Sequence, residues 1–105
     1  MFNLFKKKET SLFRFQEPEN TACFTCDHVI KRQRPILYAS HTSEDGDWQF
    51  LCGHTDHTEA NIKIISLKQA TEIDPSLNDL YEMPLGVGAE RQTKESPWKP
   101  FKIAD

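Results

Sequence analysis

The sequence predicts a single α+β domain: an antiparallel sheet of about four or five strands, with two short helices on one face. Three observations carry this reading. Trp48, Phe50 and Cys52 share one face of a period-two run. The runs Ile36–His41 and Ile62–Ile65 are rich in β-branched and aromatic residues. From Ser66 the period lengthens, and Leu67, Ala70 and Ile73 recur at helical spacing.

The elements follow in order. Residues 1–20 read as a flexible N-terminal segment: a loosely held end over 1–10, with Phe2, Leu4 and Phe5 ahead of three lysines, then Leu12, Phe13 and Phe15 as a first short strand or helix, and a loop around Pro18. Residues 21–30 read as a strand with Ala22, Phe24 and Val29 inward. Lys31, Arg32 and Arg34 lie in an exposed turn. A hairpin then pairs Ile36–His41 with Trp48–Cys52 across the acidic turn Glu44-Asp45-Gly46-Asp47. Gly53 breaks the run, a polar loop follows, and Ile62–Ile65 resumes a strand. Helices are expected near 67–73 and 75–82. Asp74 is suited to cap the second, and Pro75 at its first position forfeits no hydrogen bond. Pro84 ends it, and a glycine-bearing edge carries Arg91 outward. The domain spans 21–95, and a tail over 96–105 holds prolines that oppose regular pairing. Trp48 is the expected core anchor, beside Phe50, Tyr38 and the Ile62–Ile65 strand.

Composition narrows the function. A length of 105 residues supports one core and not two. The 37% hydrophobic share is that of a globular chain rather than a disordered one. A net charge of −3 argues against a general nucleic-acid binder. Residues 1–34 carry seven Lys/Arg against four Asp/Glu, and the remainder six against twelve, a polarity suited to docking. Three cysteines do not make a closed disulfide framework. The opening M-F-N-L-F-K-K-K lacks the apolar core of a secretory signal, and no apolar run reaches membrane-spanning length. The expectation is a cytoplasmic protein with reduced thiols and no membrane partner.

The elements D-G-D-W-Q-F-L-C-G, I-I-S-L, I-D-P-S-L-N-D-L and P-L-G-V-G-A-E-R together resemble a family of small bacterial immunity-like proteins of polymorphic-toxin systems, long described as a domain of unknown function. The resemblance runs from about Ala22 to Arg91. It implies a compact α+β domain and, for some members, neutralisation of a cognate toxin by binding. It supplies no catalytic residues, and the Cys23/Cys26 and His54/His57 pairs, though within that span, are not among the features that carry it.

Those pairs carry the sharpest chemistry. Zinc takes tetrahedral sets of cysteine and histidine. Cys23, Cys26, Cys52 and one of His54 or His57 would make such a set if the first strand lies beside Trp48–Cys52, with Gly53 letting a histidine curl back over Cys52. A redox role for Cys23-x-x-Cys26 lacks the following helix that lowers a thiol pKa. Cys52 with a histidine and Asp56 imitates a nucleophile and its base, but no oxyanion hole is evident beyond the amides near Gly53. Gly86-x-Gly88 lacks the Lys-Ser/Thr element of a phosphate loop.

The leading reading is a non-enzymatic interaction protein, immunity-like, meeting a protein partner such as a toxin through Asp45, Asp47, Asp56 and Glu59. It requires no cofactor. The alternative is a small zinc-binding module, and the third reading is an enzyme.

Overall fold

Strands β1 (Ala22–Cys26), β2 (Tyr38–His41), β3 (Trp48–Leu51), β4 (Ile62–Ser66), β5 (Val87–Glu90) and β6 (Lys99–Lys102) form one sheet in the order β4-β1-β3-β2-β5-β6. The computed structural model describes residues 13–103. The α+β class holds, with more strands than expected. Residues 1–12, which include Phe2, Leu4, Phe5 and the lysine run, lie outside the described residues. Among the described residues no helix is long and apolar enough to cross a membrane.

The sheet is mixed. The β2–β3 hairpin forms as expected, with Ala39 opposite Phe50 and Gly46 taking a φ of 72° in its turn. Strand β3, however, returns between β2 and β1, and it pairs parallel to β1 at Phe24↔Gln49 and Thr25↔Phe50. β4 then adds antiparallel on the far side of β1, with Cys26 opposite Ile62.

Alternation sorts the strands into two faces. Cys23, Thr25, Ala39, Trp48, Phe50 and Ala89 are buried. All but Thr25 share one hydrophobic core with Leu67, Ala70, Leu77 and Leu80 from the helical layer. The opposite face is more open, and Ile64 there is 65% exposed. Trp48 is the anchor expected and stacks near Phe50 at 5.8 Å as expected, but its other neighbours are different. Phe15 meets it edge-on at 4.9 Å, His41 stacks on it at 4.0 Å, and its indole N–H donates to Glu17. Tyr38 pairs with Leu51 and so belongs to the other face. The Ile62–Ile65 strand is separated from β3 by β1. Phe15, expected in a first short strand or helix, lies outside any regular element but is part of the core.

The helical layer follows its caps. Helix α2 (Leu67–Ile73) begins at Ser66, which shares a reciprocal capping box with Gln69. Asp74 caps the next segment by accepting from the Ser76 amide, with Pro75 in the first turn, but Pro75–Leu80 winds as a 3-10 helix. Its buried residues Leu77 and Leu80 still face the core.

Three expectations are corrected. Residues 27–30 are not strand: Asp27–Ile30 form a one-turn helix, α1, with Val29 buried. The tail does pair, because β6 is an edge strand and Pro100 opposite Ala89 sits where an absent N–H is tolerated. Arg91 does not point outward and is only 7% exposed.

The β5–β6 seam yields a test. Phe101 lies opposite Gly88, and a methyl group at Gly88 would sit 2.6 Å from the Phe101 ring and 2.9 Å from the Ala39 carbonyl oxygen. The carbonyl belongs to the sheet backbone and cannot move aside. Gly88→Ala should therefore destabilise by about 1–3 kcal/mol, the usual range for overpacking. An unchanged denaturant midpoint would show that the ring does not cover this glycine.

Candidate metal centre

Four side chains converge where β1 and β3 end side by side. Cys26 closes β1 and stands at the N-cap of α1, and His28 lies within that helix. Cys52 follows β3, and His57 returns from the loop beyond it. One ligand atom from each of Cys26, His28, Cys52 and His57 lies within 4.8 Å of all the others. Gly53 makes the return possible with a φ of 82°, a left-handed conformation that costs a glycine little.

The loop is pinned on three sides. Thr58 caps the short 3-10 helix Glu59–Asn61, and the Asn61 amide donates to the Asp27 carboxylate at 3.2 and 3.4 Å. Arg34 makes a two-pronged contact with Asp56 at 3.0 and 3.1 Å. The His57 ring contacts His28 and Cys52. Arg34 is brought to the site by the end of α1. There Arg32 takes a φ of 61°, and the Gln33 and Arg34 amides both donate to the His28 carbonyl.

The distances fit an ion. Zinc bonds of about 2.3 Å to sulfur and about 2.0 Å to nitrogen set neighbouring ligand atoms of a tetrahedron about 3.3–3.8 Å apart. His57 Nε2 stands 3.2 Å from His28 Nδ1 and 3.3 Å from Cys52 Sγ. A neutral imidazole nitrogen offers either one proton or one lone pair. A cation at the common centre would accept lone pairs from all four atoms at once. Both sulfurs are fully buried. Burial pushes the Cys26 thiol up, against the backbone N–H groups of Cys52 and Val29, which favour its thiolate. Arg34 holds the Asp56 carboxyl down to about 2, and the same contact raises the guanidinium's own value.

Of the residues expected to bind metal, Cys26, Cys52 and His57 come together, while Cys23 and His54 lie outside the group. Cys23 sits within β1, opposite Ile65. Three steps along an extended strand cover about 10 Å, too far for both cysteines to reach one ion. Burial pushes the Cys23 thiol up to about 12, the state of a core residue. His54 is exposed and lines a neighbouring cavity of about 530 Å³ with Tyr38, Glu90 and Lys99. His28 was missed because 21–30 reads as one strand. The signal was the close pair Cys26-x-His28.

The four acidic residues expected to form a binding surface are not gathered. Asp45 and Asp47 lie at the β2–β3 turn, whereas Asp56 and Glu59 follow the other end of β3. Asp56 is moreover engaged by Arg34.

No protein-family model, curated protein or solved structure matches this chain.

Proposed function

We propose that this chain is a small zinc-binding domain in which Cys26, His28, Cys52 and His57 hold one structural ion. The carrying observation is the convergence of two thiols and two imidazoles, drawn from two chain segments, within 4.8 Å. Two sulfurs and two nitrogens suit a borderline-soft ion and do not suit calcium or magnesium, which take oxygen ligands. Four protein ligands leave no open position for water or substrate, so the role is structural and not catalytic. The ion would clip the 53–61 loop to the ends of β1 and β3. Binding would deprotonate both thiols and tie folding to metal.

The test is metal content and ligand chemistry. Protein purified under reducing conditions should carry close to one zinc per chain. Its cobalt-exchanged form should show the intense visible bands of a tetrahedral site and thiolate charge-transfer absorption. Protein that takes up neither ion after full reduction would sink the proposal.

A further inference from the structure

The geometry points to Arg34 as the positioning residue of this centre: it holds the Cys52 sulfur in ligating position and keeps the Asp56 carboxylate out of the coordination shell. The assignment rests on the metal-binding reading above and adds to it a residue that touches no metal.

One guanidinium does both. Arg34 Nη1 lies 3.6 Å from Cys52 Sγ and 3.0 Å from Asp56 Oδ1, while Nη2 lies 3.1 Å from Asp56 Oδ2. An N–H directed at a ligating thiolate orients it and balances part of its charge. Asp56 is the residue immediately before His57, so an unpaired carboxylate there would be a competing ligand that favours hard ions. The fork occupies both of its oxygens, and Asp56 is not among the four converging groups. Taken alone, the ion pair is ordinary: its side chains are 27% and 59% exposed, and such surface pairs stabilise little. The shared Nη1 is what ties it to the centre. Lysine cannot reproduce this, because a point charge lacks the planar fork needed to reach sulfur and both oxygens together.

The experiment measures zinc affinity by competition with a chromophoric chelator, on the full chain under reduction. Wild type is compared with Arg34→Met, Arg34→Lys and Asp56→Asn. Wild type should bind tightly and Arg34→Met roughly 10–100-fold more weakly, the usual effect of removing an outer-shell partner. Arg34→Lys should fall between them. Asp56→Asn should lose less than Arg34→Met, because the contact to sulfur survives. In the cobalt form, Arg34→Met should also shift the thiolate charge-transfer band, which a residue that only braced the fold would leave in place. Arg34→Met with affinity within about twofold of wild type and an unmoved band would overturn the assignment, since outer-shell losses are larger than that. Should Arg34→Met fail to fold, wild-type affinity in both Arg34→Lys and Asp56→Asn overturns it equally. If wild type itself takes no zinc, the metal reading fails and this one falls with it; zinc-binding wild type beside an unaffected Arg34→Met removes this assignment alone.

Discussion

Stripping metal from the reduced protein should lower its melting temperature by on the order of 20 °C, and one equivalent of zinc should restore it. An ion present at about 1,000 times its dissociation constant stabilises the folded state by about 4 kcal/mol. In a domain of this size each kcal/mol moves the midpoint by roughly 4–8 °C. The gain depends on ligands from two segments far apart in the chain, Cys26/His28 and Cys52/His57, which the unfolded chain does not hold together. Cys52→Ser should melt close to the metal-free wild type and gain nothing from zinc. Cys23→Ala should start lower, because Cys23 is fully buried in the core, yet should keep its zinc-dependent rise. This pair separates the proposed ligand set from one that uses both cysteines of Cys23-x-x-Cys26. A zinc response lost in Cys23→Ala, or kept in Cys52→Ser, would contradict the geometry directly.

Arg91→Met should destabilise the fold by about 3–5 kcal/mol, the usual loss when one member of a buried ion pair is removed. The Arg91 and Asp74 side chains are only 1% and 7% exposed. Arg91 donates to the Asp74 carboxylate, the Ile36 carbonyl, the Ser76 hydroxyl and the Lys94 carbonyl. Its guanidinium also lies 4.1 Å above the Trp98 ring. One side chain thus ties the end of β5 to the start of the 3-10 helix, to the residues before β2 and to the tail. Removing it leaves a buried carboxylate without its cation. The double variant Arg91→Met/Asp74→Asn should lose less than the two single variants added together, because no unpaired charge is then buried. Strict additivity in denaturant titrations would show that the two charges are not coupled.

Local rules were legible in the chain wherever neighbours in sequence are the interacting parties. Trp48, Phe50 and Cys52 alternate because a strand turns successive side chains to opposite faces. Asp74 caps because a short polar side chain reaches an amide two residues ahead. Gly53 marks the hinge because only glycine takes a φ of 82° freely. Cys52 and the pair His54/His57 stood out for the same reason, since the hinge lies between them, but spacing alone does not say which histidine returns.

Contacts between distant segments were not legible in this way. Nothing in the period of 22–26 or 48–51 says that these strands run parallel, yet that pairing is what carries Cys26 and His28 to Cys52. The hydrophobic pattern of 21–30 fits a strand, and only the turn into α1 at Asp27 brings His28 round to the site. Arg34 and Arg91 both read as exposed cations. One lies against a buried thiol and the other crosses the core, because their partners Asp56 and Asp74 lie 22 and 17 residues away along the chain. Periodicity and residue type were enough for the hinge at Gly53, the cap at Asp74 and the shared face of Trp48 and Phe50, but not for the face of β1, where Cys23 and Thr25 turn inward in place of Ala22 and Phe24. The order of strands in the sheet decided which cysteines and histidines meet, because ligand distances depend on strands that neighbour each other in space and not on spacing along the chain.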